Sequence, residues 1–232
     1  MGTILSSCDV NQIPPVTKIL LWVMFAAFGL QYLLGEALLV TFALWPLGDF
    51  PLGVNDAGLP LSVGFQPWQL LTYGFLHGNF AHLFLNALAL FQFGGRLEQT
   101  WGSRRYLAYF LICVVGAGLL QLLVVGMLVD AGNRAFPTIG ASGGIFGFLL
   151  AYAVLFPRER VMLLLPPIPM SARTLVIVFG VISLVMGVTG TAAGIAHFAH
   201  LGGMLFGWLV LRYWSGKPPF HRKRPPGPRL VR

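Results

Sequence analysis

The amino-acid sequence predicts an all-α membrane protein, a bundle of six transmembrane helices, and three observations lead to this fold class. Of the 232 residues, 56% are hydrophobic and only 9% carry a charge, whereas soluble domains are about 25% charged. The apolar residues gather into six long runs, and a helix needs about 20 apolar residues to cross a bilayer. The basic residues lie between these runs in a one-sided pattern. Together these features exclude a soluble globular enzyme, a disordered chain and a disulfide scaffold.

The first span begins after Pro14-Pro15, and its apolar run is too long for the core of a cleavable signal peptide. We therefore expect it to remain in the protein. The six predicted spans cover residues 17–39, 70–94, 105–129, 139–156, 173–190 and 194–214. The predicted organisation is a short cytoplasmic segment over 1–16, a membrane domain over 17–214 and a basic cytoplasmic tail over 215–232.

The distribution of Lys and Arg supports this number of spans and sets their orientation, because cytoplasmic loops are enriched in basic residues. With the N-terminus in the cytoplasm, 14 of the 15 basic residues lie on the cytoplasmic side and only Arg134 lies outside. Adding or removing one span destroys this segregation. The net charge of +8 therefore indicates orientation and contact with anionic lipid, not binding of nucleic acid.

The loop between the first two spans, residues 46–69, is too polar and too rich in Pro and Gly to span a bilayer. It is also too apolar for a fully solvated loop. We expect it to lie at the membrane interface, with Trp45 and Trp68 as anchors at the level of the headgroups. An ordinary external loop is the alternative.

The second span contains polar residues that are costly inside a bilayer, and such groups usually face the protein interior. His82 and Asn86 are four residues apart and share one face of a helix. His77 lies about 140° around the helix from His82, which predicts a position nearer the external mouth.

The fourth span opens with Ser142 between Gly140 and Gly143. The N–H groups at a helix N-terminus are unpaired, and together with the positive end of the helix dipole they can hold an anion. The alternative is a seam of small residues for helix packing, formed by Gly140, Gly144 and Gly147.

In the sixth span, His200, Gly203 and Gly207 form one stripe, with His197 one turn before it. The two glycines allow a second helix to approach closely, so His200 lies on the seam with a neighbouring helix. A hydrogen-bonded packing histidine is the alternative for this residue alone. Three polar clusters on the external halves of three spans favour a common site.

The chemistry of this site points to nucleophilic catalysis. A serine needs an adjacent base, which His200 can supply to Ser142. The tetrahedral intermediate needs hydrogen-bond donors, which the helix N-terminus, His82 and Asn86 can supply. No carboxylate is placed to orient the base, since Glu36 is the only acid near the outer half of a span. The sequence therefore favours a Ser–His dyad over a triad.

The motifs resemble those of the rhomboid intramembrane serine proteases in order and spacing. The matching motifs are H-x4-H-x3-N (His77, His82, Asn86), G-x-S-G (Gly140, Ser142, Gly143), A-H-x-x-G-x-x-x-G (Ala199, His200, Gly203, Gly207) and GGRLE with Trp101-Gly102 (residues 94–102). The resemblance implies that Ser142 is the nucleophile and His200 the general base. It also implies an oxyanion hole formed by the backbone N–H of Ser142 with His82 and Asn86. Supporting positions are His77, Gly140, Gly143, Phe146 and Gly203.

The resemblance further implies hydrolysis of a peptide bond in or near the transmembrane segment of a membrane-protein substrate. Such substrates enter laterally near spans two and five and have small residues at the cleavage site. No metal, nucleotide or other cofactor is implied, and the partners are transmembrane substrates and the lipid bilayer. The implied location is a bacterial inner membrane, with both termini cytoplasmic and the site open to the periplasm. The oligomeric state is not implied.

Two residues depart from the family pattern. The first loop ends in Trp68-Gln69 where the family often has Trp-Arg, which removes an arginine contact. Phe146, four residues after the serine, replaces an aromatic residue that often carries a hydroxyl. Phe146 can stack under His200 but cannot donate a hydrogen bond.

Two other classes of function remain as alternatives. His197 and His200, three residues apart, are compatible with a membrane metal or haem protein. A non-catalytic relative that binds transmembrane helices is the second alternative, although such relatives usually lack the serine or the histidine. Cys8 and Cys113 are far apart in the sequence, so neither a disulfide nor a cysteine metal site is predicted.

Overall fold

The computed structural model of the chain describes residues 13–54, 60–130, 136–162, 167–189 and 197–216. The helices are α1 (Pro15–Leu34), α2 (Glu36–Phe42), α3 (Gln69–Thr72), α4 (Phe80–Ala89), α5 (Gly95–Trp101), α6 (Ser103–Asp130), α7 (Ser142–Leu155), α8 (Ala172–Thr189) and α9 (His197–Trp214). Two short antiparallel hairpins pair β1 (Phe50–Val54) with β2 (Pro60–Val63) and β3 (Arg160–Met162) with β4 (Pro169–Ser171). Most of the predicted basic tail, most of the N-terminal segment, Cys8 and Arg134 lie outside the described residues.

The fold is the all-α membrane bundle that the sequence predicts. Within the described residues, three helices combine the length and the apolar composition needed to cross a bilayer, namely α1, α6 and α8. Helix α7 is equally apolar but shorter, with 14 residues. The last four predicted spans correspond to α6, α7, α8 and α9. The total of six spans stays a prediction.

The first two predicted spans differ from the observed helices. The run predicted over 17–39 divides at Gly35, whose φ of 59° ends α1, and α2 starts at the next residue. The second predicted span begins too early, because α4 starts only at Phe80. The Asn79 side chain caps α4 by accepting a hydrogen bond from the N–H of His82 at 2.8 Å. A π-helical turn over Leu90–Gly94 then carries the helix on into α5.

Helices α6, α7 and α9 form the tightly packed centre of the bundle, and glycines set their separation. A Cβ on Gly203 of α9 would collide with the carbonyl oxygen of Gly143 in α7. The Tyr109 hydroxyl of α6 donates to the carbonyl of Gly147 at 3.0 Å. Because the backbones of α7 and α9 touch at this point, side chains near the start of each helix meet.

The start of α1 is held by a carboxylate from α5. Glu98, which is only 3% exposed, accepts hydrogen bonds from the backbone N–H groups of Val16 at 3.0 Å and Thr17 at 2.7 Å. The hydroxyls of Thr17 and Ser103 donate to it at 2.9 and 2.6 Å. These backbone donors lack partners within α1. Glu98 of α5 therefore caps the N-terminus of α1.

Candidate active site

Ser142 and His200 meet where α7 and α9 begin. The Nε2 atom of His200 lies 2.8 Å from the Oγ atom of Ser142, across a sequence separation of 58 residues. Ser142 is the first residue of α7, so its hydroxyl sits beside backbone N–H groups that have no partner within the helix. Both side chains are partly exposed. The arrangement places a proton acceptor on the hydroxyl and hydrogen-bond donors next to it.

The segment leading to Ser142 is fixed by contacts with two other parts of the chain. Thr138 and Leu44 exchange backbone hydrogen bonds at 2.9 and 3.0 Å, and the N–H of Gly140 donates to the carbonyl of Tyr73 at 2.9 Å. Gly140 has a φ of 124°, a conformation that residues with a side chain rarely adopt. The turn before α7 is therefore set by tertiary contacts and by a glycine.

Three side chains on different elements contact His200 or the residue before it. The Phe146 ring lies parallel to the imidazole, with an interplanar angle of 5° and a centroid distance of 4.0 Å. The Ser183 hydroxyl of α8 lies 3.4 Å from Nδ1 of His200. The Gln121 side chain of α6 accepts a hydrogen bond at 3.1 Å from the N–H of Ala199, the residue before His200.

Sequence reasoning misses Ser183 and Gln121. Neither residue belongs to a motif, and each is an isolated polar residue within an apolar stretch of its span. That isolation is itself a signal, because polar groups inside spans usually contact other protein groups.

His82 lies beside Gly140, and its tautomer can be assigned from its contacts. The N–H of Gly78 points at Nδ1 of His82 at 3.4 Å, so Nδ1 is the acceptor and Nε2 carries the proton. A Cβ on Gly140 would lie 2.8 Å from both Cε1 and Nε2 of His82. The protonated edge of the ring is therefore next to the turn that holds Ser142.

Asn86 is buried one turn further along α4. Its side-chain amide donates to the carbonyl of His82 at 2.9 Å. The residue is 6% exposed, and this bond holds it on the His82 face of the helix. The structure thus brings Ser142, His200, Gly140 and His82 together, with Asn86 behind His82.

His77 lies before α4, so its predicted angular position on a helix is wrong. Its backbone N–H and carbonyl pair with the side chain of Gln31 in α1 at 2.9 and 3.1 Å. Its ring is 1% exposed and packs edge-on against His82 with a centroid distance of 5.1 Å. His77 therefore supports His82 from the loop.

Gln69 stands at the position where the family often has arginine, and its side chain forms hydrogen bonds with both ends of the first loop. It is 1% exposed, and its Oε1 accepts from the N–H groups of Trp45 and Gln66 at 3.2 and 3.1 Å. Its Nε2 donates to the carbonyl of Thr41 at 3.3 Å. An uncharged side chain thus links both ends of this loop.

The two tryptophans of the first loop have different environments. Trp68 is 49% exposed and donates to the carbonyl of Thr41 at 3.0 Å. Trp45 is only 7% exposed, and its indole N–H donates to the carbonyl of Val40 at 3.1 Å. The prediction that Trp45 anchors the interface is wrong, because its polar edge is satisfied inside the protein.

The alternative of a metal site has no supporting ligand set in the part of the chain that the structure describes. No group of three or more His, Cys, Asp or Glu side chains lies together there. His197 packs edge-on against His200 with a centroid distance of 6.1 Å, and Cys113 is a buried free thiol.

Comparison with known proteins gives one family and several relatives. The model of the Rhomboid domain matches residues 64–216, which is well over half of the chain. The chain is 30% identical to "Rhomboid protein 1, mitochondrial" of Saccharomyces cerevisiae over 155 residues, which cover 61% of this chain and 41% of the yeast protein.

Two bacterial relatives extend this comparison. The chain is 33% identical over 143 residues to "Rhomboid protease GluP" of Bacillus subtilis, covering 62% of this chain and 25% of that protein. It is 23% identical over 206 residues to "Rhomboid protease GlpG" of Yersinia pestis, covering 88% of this chain and 64% of that protein. The chain thus spans less than two thirds of the length of these relatives.

Proposed function

The chain belongs to the rhomboid family, and on this basis we propose that it is an intramembrane serine endopeptidase with Ser142 as nucleophile and His200 as general base. The substrate is a membrane protein, and the bond hydrolysed lies in or near its transmembrane segment. Two relatives are named as rhomboid proteases, which supports the reaction class. The observation that carries the proposal is the 2.8 Å contact between Ser142 Oγ and His200 Nε2.

The first step is acylation of Ser142. As Oγ attacks the carbonyl carbon of the substrate, its proton passes to Nε2 of His200. The carbonyl oxygen becomes an oxyanion, which the N–H of Ser142, the Nε2–H of His82 and the side chain of Asn86 stabilise. The C–N bond then breaks, and the amine leaves with the proton from His200.

The second step is hydrolysis of the acyl-enzyme. His200 takes a proton from water as the water oxygen attacks the ester carbon. The C–Oγ bond then breaks, and the proton returns from His200 to Ser142. One peptide bond and one water molecule are consumed, and no external reductant, oxidant or nucleotide takes part.

The charge distribution supports an orientation with both termini in the cytoplasm and the site opening to the other side. Lys and Arg segregate to one side of the six predicted spans, which is the basis for this orientation. We propose a bacterial inner membrane as the location, by analogy with the bacterial relatives. The partners are transmembrane protein substrates and the surrounding lipid.

The test is cleavage of a reporter membrane substrate by the purified protein in detergent or liposomes. We expect Ser142→Ala and His200→Ala to lose at least about 1,000-fold in kcat. Ser215→Ala removes a hydroxyl that donates to the carbonyl of Arg212 at the end of α9, and it should retain the wild-type rate. A fluorophosphonate should label the wild type and Ser215→Ala but not Ser142→Ala.

Three outcomes would overturn the proposal. Cleavage by purified Ser142→Ala would exclude Ser142 as the nucleophile. Substrate binding without cleavage or labelling would favour the non-catalytic relative. Stoichiometric metal or a haem absorption band in the wild type, with activity lost on chelation, would favour the metal or haem protein.

A further inference from the structure

Most side chains of helix α8 are exposed or only partly buried, and its second half contains a single buried residue. Between Ile177 and Thr189 of α8, Ser183 is the only residue that is buried, with 3% of its surface exposed. It is also the only hydroxyl-bearing or charged residue between Thr174 and Thr189. The only fully buried residue in this half of α8 therefore carries a hydroxyl.

The Ser183 hydroxyl contacts a neighbouring helix, whereas two threonines elsewhere in the bundle bond within their own helix. Thr189 of α8 donates to the carbonyl of Val185, four residues earlier, at 2.8 Å. Thr41 of α2 does the same to Ala37 at 2.9 Å. This local bond is the usual choice for Ser and Thr in a helix. Ser183 instead lies 3.4 Å from Nδ1 of His200 on α9.

The proposed chemistry requires one tautomer of His200. Nε2 must be unprotonated to accept the proton of Ser142, so the single proton of the neutral ring must be on Nδ1. A proton on Nδ1 needs an acceptor, and a second partner that fixes the tautomer of an active-site histidine is a recurrent device. The oxygen of Ser183 is placed to be this acceptor.

The side chains that contact the His200 ring come from three helices, and each contacts a different part of the ring. Ser142 on α7 contacts Nε2, and Phe146 on α7 covers one face of the ring. His197, on the same helix as His200, packs against the ring edge-on. Contact with Nδ1 comes from α8, through Ser183.

We propose that Ser183 is a positioning residue that accepts the hydrogen bond from Nδ1–H of His200 and so holds the imidazole in the tautomer that activates Ser142. This inference rests on the proposed function of the Ser142–His200 pair. Ser183 takes the place of the carboxylate in a catalytic triad, but its hydroxyl is neutral. As in a triad, no proton is transferred to this third group. His200 is therefore oriented by a residue of α8, and the second half of that helix contains no other buried side chain.

The test compares substitutions that keep or remove the hydroxyl at constant shape. Ser183→Thr and Ser183→Val share one shape and differ in the hydroxyl, and Ser183→Ala removes the hydroxyl without adding atoms. Ser215→Ala is the matched control at a distant serine. For each purified variant, kcat and KM are measured with the reporter substrate, together with the rate of fluorophosphonate labelling and the thermal midpoint.

We expect kcat and the labelling rate to fall about three- to tenfold in Ser183→Ala, with KM within about twofold of wild type. This loss equals about 0.6–1.4 kcal/mol, the range of one neutral hydrogen bond. Ser183→Thr should exceed Ser183→Val in kcat by a similar factor. Any strain from the added methyl group affects both variants equally, so their ratio isolates the hydroxyl.

Two results would overturn this role. Equal kcat for Ser183→Thr and Ser183→Val would show that the hydroxyl does not act on the base, whatever their stability. A loss confined to KM or to the thermal midpoint would indicate a packing role. Both results presuppose an active wild type, so they are distinct from failure of the proposed function, in which the wild type neither cleaves nor is labelled.

Discussion

At the scale of single residues, Gly140 is under two independent constraints. Its φ of 124° strains any residue that has a side chain, and a Cβ would lie 2.8 Å from the His82 ring. The first constraint acts on the folding energy. The second acts on the proposed oxyanion donor, since the His82 ring would have to shift to make room for the Cβ.

Substituting Gly140 by Ala should therefore reduce activity more than stability. We expect a cost of about 1–2 kcal/mol in the free energy of unfolding and a fall of about 100-fold in kcat, the usual loss of one oxyanion donor. Gly53→Ala is the matched control, because Gly53 has a φ of 128° and no atom within 4 Å of its Cβ position. Thermal unfolding and reporter cleavage of both variants measure the two effects.

Gly53→Ala should share the stability cost and keep the wild-type kcat. Equal activity in the two variants would show that the contact between Gly140 and His82 does not matter for the reaction.

The residues of the site divide into those that the sequence can predict and those that it cannot. Ser142, His200 and His82 are predictable because glycine spacing, helical periodicity and family motifs mark them. In the sequence, Gln69 is noticeable only because the family often has arginine at this position. Its hydrogen bonds with Trp45 and Gln66 leave no recognisable pattern in the local sequence. Its partners are set by how the loop folds back, which is a tertiary property.

At the scale of elements, the start of α1 depends on the carboxylate of Glu98 in α5. Burial by itself raises the pKa of Glu98, but hydrogen bonds from Ser103, Val16 and Thr17 outweigh it and hold the pKa below its ordinary value of 4.5. The ionised carboxylate is thus stabilised in the folded state more than in the unfolded state. Its contribution to stability is fully present above the ordinary pKa and is lost as the pH falls through the lowered folded pKa.

The Glu98→Gln variant should be less stable than wild type at pH 7, by about 1–3 kcal/mol for a hydrogen-bonded charge. Below a pH of 4.5, the difference between the two proteins should shrink, because the wild-type carboxyl takes up its proton. Thermal midpoints in detergent between pH 7 and about pH 3 provide the measurement. The exposed Glu36 supplies the control Glu36→Gln, which should leave the thermal midpoint at pH 7 close to that of wild type. A constant gap between wild type and Glu98→Gln would contradict the assignment.

The ends of the helices show why elements are harder to predict than motifs. Apolar residues continue from Leu70 into α4, so periodicity alone predicts one span. The break arises because the Asn79 side chain caps a new helix at Phe80 and Gln31 of α1 pairs with the backbone of His77. An Asn before an apolar run is a common N-cap. Whether the helix starts there or earlier in the apolar run also depends on the pairing of His77 with Gln31, 46 residues away in the sequence.

At the scale of the whole molecule, the candidate site depends on direct contact between the backbones of α7 and α9. The Gly203→Ala variant should force the two helices apart, because its Cβ would collide with the carbonyl oxygen of Gly143. We expect a loss of about 1–3 kcal/mol in stability and a fall of at least about tenfold in kcat as Ser142 and His200 separate.

Gly126→Ala in α6 is the control for the Gly203 variant, because nothing lies within 4 Å of its Cβ position. Its stability should be unchanged or should rise by up to about 1 kcal/mol, since Ala favours a helix. Reporter cleavage and thermal midpoints measure both variants. Full activity in Gly203→Ala would show that the bundle can absorb the collision without moving the site.

The class of the molecule follows from its composition, whereas its detailed packing does not. Scarce charge and long apolar runs predict an integral membrane bundle, and the family match agrees with it. The number of six spans, the sidedness and the three-part division of the chain stay predictions that depend on hydropathy and on the placement of Lys and Arg. Cross-helix contacts such as that of Gly203 with Gly143 join residues far apart in the sequence, and periodicity within one helix carries no information about them.

The glycine contacts among α6, α7 and α9 have an evolutionary consequence. Where a Cβ meets a neighbouring backbone, as at Gly203, glycine alone fits. Along the second half of α8, by contrast, most side chains are exposed and Ser183 is the buried exception. Selection on folding should therefore constrain these two regions differently. We expect the outward face of α8 to tolerate exchange among apolar residues, and the close-packed glycine positions such as Gly203 to tolerate no residue with a Cβ.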